Sequence, residues 1–302
     1  MSVVMITGAA RGIGAESARQ LYARGHELAL VGLEPAELEA RAAELGPRAA
    51  AFECDVTDRD ALASVVEDIV ERFGGIDVVI ANAGVATIGT VESLDPDEFE
   101  RVVEVNLLGV YRTVKAALPH VVERRGYVLV VASLAAALHG GMMANYAMAK
   151  AGAEAFANSL RQELAPRGTA VGCAYFGFID TDMVRDAYDH PASQRARRDA
   201  PQWVAKPIPV SEAGAAIVRG VEGRRARVWA PRWVGAALAL RGILMPLLER
   251  RQIRDALQAA GIDHELITYP GAAHAFFWPG TPAFDQKARD DAWSRILTTL
   301  AG

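Results

Sequence analysis

The chain reads as an α/β protein, a parallel sheet with helices on both faces, and two observations predict it. Short apolar runs alternate with longer amphipathic ones as far as about residue 229, the pattern left by strands that cross over through helices. The first apolar run, VVMIT, leads through a glycine-rich turn, TGAARGIG (residues 7–14), straight into a helical pattern, as the opening strand–helix unit of such a sheet requires.

Taken in order, the strands fall at 3–6, 27–31, 49–53, 77–80, 126–132, 170–174 and 227–229. Helices fall near 12–24, 35–45, 59–73, 96–123, 145–164 and 212–221. Asp58, Asp95 and Ser211 stand where an N-cap side chain accepts from the first free backbone N–H groups. In the first turn, glycine at 8, 12 and 14 lets the backbone turn tightly, approach a pyrophosphate and bring helix onto strand. The helix N-terminus behind it then offers unpaired N–H groups to an anion. Residues 182–210 hold four prolines and many charges. They read as an inserted loop with one short helix, placed where a lid can lie over a ligand.

A net charge of −5 and a pI near 5.8 give no reason to expect nucleic acid as a partner. The arginines at 195, 197 and 198 and at 224, 225 and 227 read as solvated surface. The histidines are scattered without ligand spacing, so no metal site is indicated. Cys54 and Cys173 sit in apolar strand-like runs and read as buried free thiols of a reducing, cytoplasmic setting. A strand begins directly after Met1, which leaves no room for a signal peptide. The most lipophilic stretch, WVGAALALRGILMPLL (233–248), is short for a membrane span and carries Arg241 and Pro246. It reads as an interface or lid helix, not an integral membrane segment.

Chemistry concentrates in SLAAALHGGMMANYAMAK (133–150). Tyr146 and Lys150 stand four apart in a helical run, which sets them on one face with Cβ atoms roughly 5–6 Å apart. An ammonium about 5 Å from a phenolate favours the ionised phenol by roughly 3 kcal/mol at an effective dielectric of about 20. That would draw a tyrosine toward the range of a useful general base. Ser133 adds a hydroxyl able to hold a substrate oxygen.

TGAARGIG, CDVTD (54–58), NAG (82–84), Asn106, Ser133 and YAMAK (146–150) follow one another in order and spacing. With them, the chain from about Ser2 to Arg251 resembles the short-chain dehydrogenase/reductase family. The resemblance implies a Rossmann-type doubly wound sheet of order 3-2-1-4-5-6-7, binding a nicotinamide dinucleotide at the carboxyl ends of its strands, in a homodimer or homotetramer. It implies Tyr146 as general acid/base toward the substrate oxygen and Ser133 as the group that orients the carbonyl or alcohol. Lys150 would lower the tyrosine's pKa and hold the nicotinamide ribose, and Asn106 would hold a water in a proton relay behind it. The expected cofactor contacts are Gly8, Arg11, Gly12, Ile13 and Gly14 in the turn and Asp55 at the adenine with Val56 beside it. Asn82, Ala83 and Gly84 would line the cleft, and Thr181 would meet the carboxamide.

Two positions depart from the family pattern. An acid that binds the adenosine ribose usually ends the second strand of NAD-preferring members, and here that position is Gly32, with Glu34 two residues on. Without the acid a 2′-phosphate is not repelled, and Arg11 can pair with it, which tips the balance to NADP(H) over NAD(H). After the sixth strand, Phe176-Gly177 replaces the usual Pro-Gly. The substrate side reads as apolar, from Leu134, Ala135, Ala136, Leu138, Met142, Met143 and Phe178. That suits a small lipophilic alcohol or carbonyl compound.

After Arg251 the character changes. Residues 252–302, with the loop YPGAAHAFF, resemble the C-terminal part of the dienelactone hydrolase family. The loop histidine, His274, would belong to a Cys-Asp-His triad there, but nucleophile and acid lie upstream in that family, where this chain has its dehydrogenase-like part. Cys173 in VGCAYFG lacks the spacing of a nucleophile turn. The tail therefore reads as a non-catalytic appendage whose apolar helices and lone strand, 262–269, need a body to dock against. Alternatives to an oxidoreductase are a bifunctional enzyme with hydrolase activity in the tail, or a non-catalytic dinucleotide-binding protein.

Overall fold

The computed structural model describes residues 1–189, 202–259 and 284–301. His274 and the expected strand at 262–269 lie outside the described residues. The chain divides into two compact units, Met1–Met245 and Pro246–Gly302.

The first unit is a seven-stranded sheet of order β3-β2-β1-β4-β5-β6-β7, parallel throughout, as expected. Its strands are β1 (Val3–Thr7), β2 (Glu27–Gly32), β3 (Ala49–Glu53), β4 (Val78–Ala81), β5 (Tyr127–Val131), β6 (Ala170–Phe176) and β7 (Arg227–Ala230). Helices α1 (Gly12–Ala23), α2 (Pro35–Leu45), α3 (Arg59–Phe73), α4 (Pro96–Val103), α5 (Gly109–Glu123) and α6 (Ala144–Leu164) connect the strands up to β6. Then come α7 (Asp182–Asp189), α8 (Gln202–Ala205), α9 (Val210–Glu222), α10 (Trp233–Ala239) and α11 (Arg241–Ala259).

Because side chains alternate along a strand, the sheet feeds two cores. Val3 and Met5 of β1 join Val66, Val114 and Ala153 from α3, α5 and α6 on one face. Val4 and Ile6 join Ala18, Leu38 and Ile217 from α1, α2 and α9 on the other. Asp58 and Asp95 cap α3 and α4, accepting from backbone N–H groups two or three residues on. Ser211 is not a cap. Pro209 holds that position, Val210 already belongs to α9, and the carbonyl of Ser211 accepts from Gln20 Nε2 at 3.0 Å.

The helix expected over 96–123 is interrupted. A π-helical turn, Glu104–Leu108, separates α4 from α5 and carries Asn106. The segment after β6 holds two described helical pieces, α7 and α8, rather than one. The lipophilic stretch forms α10 and the start of α11, and no helix among the described residues is long and apolar enough to cross a membrane. In the second unit the described residues include the final helix, α12 (Gln286–Ala301). Ala288 is buried, whereas Trp293, Ile296 and Leu297 are exposed.

Candidate active site

A cleft of about 790 Å³ opens at the carboxyl ends of the strands, lined from Gly8 and Gly32 at one end to Ser133 and Tyr146 at the other. It collects the expected residues Gly8, Arg11, Gly12, Ile13, Asp55, Val56, Asn82, Ala83, Gly84, Ser133, Tyr146, Lys150 and Thr181.

The glycine turn is built as its sequence requires. Gly8 and Gly12 adopt φ of +65° and +58°, the region that L side chains avoid. A Cβ on Gly14 would stand 2.2 Å from the carbonyl oxygen of Gly8, so helix and turn touch backbone to backbone. Asn82 ties the turn to β4: its Nδ2 donates to the carbonyls of Thr7 and Gly8 at 3.0 and 3.2 Å. The N-cap of α1, Arg11, makes no side-chain capping bond, and no acid stands in the first helical turn. The free N–H groups and the positive end of the helix dipole thus remain for an anionic ligand, a fit to the pyrophosphate of a dinucleotide.

Asp55 lines the cleft, and its Oδ1 accepts from the N–H and the hydroxyl of Thr57 at 2.8 Å each. Where an acid is missing at Gly32, Glu34 folds back: its Oε2 lies 3.5 Å from the place of a Gly32 Cβ. Its Oε1 pairs with Arg11 Nη2 at 3.2 Å.

At the opposite end, the first turns of α6 carry Tyr146 and Lys150. Buried Asn145 fixes that helix start, donating to Thr87 Oγ1 at 2.7 Å while its own oxygen accepts from the Tyr146 N–H. Ser133, just past β5, accepts from Ala135 N at 3.1 Å. Lys150 is buried, 3% exposed, and its Nζ donates to the Val131 carbonyl at 2.9 Å. Desolvation lowers its pKa to about 8. Here the electrostatic expectation needs correction. The ammonium lies 5.7 Å from the centroid of the Tyr146 ring, and burial raises the phenol's pKa while an interaction with Ser133 offsets part of that. The same burial that would strengthen their attraction penalises both charges.

Asn106 is fully buried. Its Oδ1 accepts from Val85 N at 2.8 Å and its Nδ2 donates to Val85 O at 2.7 Å. The side chain is thereby committed to Val85, and Asn106 is not among the residues that line the cleft. None of Leu134, Ala135, Ala136, Leu138, Met142, Met143 and Phe178 lines the cleft; Ala135 and Ala136 are buried. After β6 its apolar lining comes instead from Phe176, Ile179, Met183 and Val184. Sequence reading also missed the charged rim of Asp97, Glu100, Arg101 and Glu104. Their place on α4 and the π turn follows only once the fold sets those elements at the mouth. Cys173 lies in β6, wholly buried, and burial pushes its thiol up to about 11, the opposite direction from an activated thiolate.

The profile of the short chain dehydrogenase family matches residues 2–192. A 3-oxoacyl-[acyl-carrier-protein] reductase of Escherichia coli is 35% identical over 190 residues, 62% of this chain and 77% of that protein. Nodulation protein G of Rhizobium meliloti is 32% identical over 192 residues, 63% and 78% of the two chains. Among solved structures, levodione reductase aligns with a TM-score of 0.71 at 26% identity, covering 78% of this chain and 98% of that one. An alcohol dehydrogenase from Thermococcus sibiricus, complexed with 5-hydroxy-NADP, aligns at 0.65 and 31% identity, over 76% and 94%. The dienelactone hydrolase family profile matches residues 235–302, beginning before the change of character at Arg251. With its cleft, its fold and these relatives together, the chain belongs to the short-chain dehydrogenase family, as an NAD(P)-dependent oxidoreductase carrying a dienelactone-hydrolase-like C-terminal fragment.

Proposed function

We propose that the protein interconverts a small lipophilic ketone and its secondary alcohol, with Tyr146 as the proton donor and acceptor. The observation that carries this reading is the gathering of the Ser133 hydroxyl, the Tyr146 phenol and the buried Lys150 ammonium at one end of a dinucleotide-shaped cleft. When bound, the nicotinamide cofactor supplies or accepts the hydride. The Ser133 hydroxyl donates to the carbonyl oxygen and holds it beside the phenol. A phenol above its ordinary pKa stays protonated at neutral pH, so in the reducing direction Tyr146 has a proton to give. The Lys150 ammonium then stabilises the phenolate left behind. Asn106, which meets the same Gly84 as Lys150, would hold a water in the relay behind that lysine, by which the proton is replaced. Phe176, Ile179, Met183 and Val184 in the cleft lining support an apolar substituent on the substrate. The relatives named for reduction of 3-oxoacyl groups and of levodione support the carbonyl class.

Cofactor contacts fall to Gly8, Gly12, Ile13 and Gly14 for the pyrophosphate, Asp55 and Val56 for the adenine, and Asn82–Gly84 and Thr181 toward the nicotinamide. NADP(H) is preferred to NAD(H), and narrowly. Arg11 is 63% exposed, and an exposed ion pair is worth only about 0–1 kcal/mol, so its cation transfers readily from Glu34 to a 2′-phosphate. The Glu34 carboxylate beside Gly32 repels that same phosphate, which keeps the margin small. Exposed Leu108, Tyr111 and Met148 support self-association as a homodimer or homotetramer, and unpaired buried cysteines are in keeping with a cytoplasmic setting. Incubation with a panel of apolar and polar ketones, each with NADPH or NADH, tests the reading by loss of reduced-cofactor absorbance. Turnover of apolar ketones, faster with NADPH, is expected; turnover confined to charged or phosphorylated carbonyls would overturn it.

A further inference from the structure

Two hydrogen bonds clasp the loop after β4 to the turn that enters α6. Asn145 Nδ2 donates to Thr87 Oγ1 at 2.7 Å, and the Gly89 N–H donates to the Met142 carbonyl at 3.0 Å. Each element carries a wall of the cleft. Asn82, Ala83, Gly84 and Val85 line it shortly before Thr87, and Tyr146 lines it directly after Asn145. The loop is itself held, since both main-chain groups of Val85 are bonded to the side chain of Asn106. The clasp therefore sets the start of the catalytic helix against a fixed wall.

Two features mark it as more than packing. Asn145 is wholly buried, where an amide is costly unless both of its ends are partnered. One end meets Thr87, and the other accepts from the Tyr146 N–H at 2.7 Å. That N–H belongs to the first turn of α6, which has no intrahelical acceptor for it, so the place of Tyr146 depends on where the Asn145 side chain is held. The second feature is Met142, a non-glycine residue at φ +65°. Such a conformation persists only where the surroundings over-determine it, and it gathers at functional sites. Its carbonyl is the one that Gly89 holds.

We propose that Thr87 and Asn145 are positioning residues, whose bond fixes the Tyr146 phenol relative to the wall of Asn82–Val85 and so sets the rate of proton transfer. This rests on the reading of Tyr146 as proton donor given above. Neither Thr87 nor Asn145 lines the cleft, so each acts through Tyr146 and neither contributes to holding the cofactor. Without the Thr87 hydroxyl, the buried amide of Asn145 loses its acceptor and the first turn of α6 is free to shift. The expected loss of rate is about tenfold or more, below the roughly 10²-fold that a misplacement of about 1 Å can cost.

The test measures turnover of methyl hexyl ketone with NADPH by the full chain, counted per molecule able to bind NADPH. It compares wild type, Thr87→Val, Thr87→Ser, Asn145→Ala, Tyr146→Phe and the double variant Thr87→Val/Tyr146→Phe. Thr87→Val keeps the shape of the side chain and removes the hydroxyl. In it and in Asn145→Ala, kcat should fall about tenfold or more, and Thr87→Ser should keep most of the wild-type rate. The Kd of NADPH should stay within about twofold, as for groups that serve only the chemical step. The double variant should be no slower than Tyr146→Phe alone, because residues that act as a unit do not add. A kcat within about twofold of wild type in both single variants would overturn the clasp. So would a loss that carries over in full to the double variant, or a loss of NADPH affinity in step with kcat, the mark of a merely structural contact. Hydrogen exchange at the Tyr146 N–H gives a readout independent of turnover. It should quicken about tenfold or more in Thr87→Val while the middle of α6 is unchanged. Faster exchange with no ketone turnover by wild type, or with full turnover by Tyr146→Phe, would sink the proton-donor reading and keep the clasp on Tyr146. Turnover that depends on Tyr146, with exchange unmoved in Thr87→Val, would do the reverse, and neither turnover nor a change in exchange would overturn both.

Discussion

The two ends of the cleft are built by different means. At the cofactor end, backbone does the work: positive φ at Gly8 and Gly12, close contact at Gly14, and a helix N-terminus that no side chain caps. At the substrate end, side chains do it, from the end of β5, from α6 and from the turn after β6. Backbone geometry demands particular residues at fixed spacing, so it leaves a motif. Side-chain clusters assembled across the fold leave none. The comparison predicts that damage at the first end abolishes binding of the cofactor, whereas damage at the second changes chemistry and selectivity.

The largest effect should follow Gly14→Val. The new side chain would meet the Gly8 carbonyl, with Cβ at 2.2 Å, and nothing flexible is there to yield. Cofactor binding, followed by calorimetry, should be lost altogether; an affinity within a few-fold of wild type would break the comparison at its root.

Next comes Lys150→Met, which should separate chemistry from stability. Turnover should drop by about 100-fold or more, the scale of acid–base assistance. Stability should move the other way. Burial lowers the pKa of this lysine from 10.5 to about 8, so at neutral pH the folded state holds a charge it disfavours, at a cost of up to about 3 kcal/mol. Between about pH 8 and 10.5 the unfolded chain binds more protons than the folded one, so this group makes wild-type stability rise with pH across that window. The methionine variant should be the more stable at pH 7 in urea unfolding and should lack that rise. Reduction by wild type should weaken as pH climbs through about 8, where the ammonium that steadies the phenolate is lost.

The smallest effect belongs to the ribose corner. Glu34→Gln removes the carboxylate beside Gly32 and frees Arg11, so kcat/KM with NADPH relative to NADH should rise by several-fold, the worth of one exposed charge contact. A change toward NADH would show that Glu34 does not face the 2′-position.

How far the sequence carried follows from the same contrast. All seven strands were legible, because buried parallel strands are continuous apolar runs, whereas their order came only with the resemblance to the family. The π turn at Glu104–Leu108 was not, since its residues favour an unbroken helix and only the bond between Asn106 and Val85 shows what the bulge accomplishes. Ser211 carried the chemistry of a cap, yet α9 begins one residue before it, after Pro209. The pairing of Tyr146 with Lys150 was visible as spacing, but its electrostatics depended on burial, which spacing does not report. Thr87 and Asn145 are 58 residues apart, and no local pattern joins them.

Proton transfer by Tyr146 is tested most directly by Tyr146→Phe, a change that removes one oxygen and keeps the ring. The account predicts a fall in kcat of about 100-fold or more for an apolar ketone, the size expected for loss of a general acid, while NADPH binds as tightly as to wild type. Turnover within a few-fold of wild type, with cofactor binding intact, would contradict it.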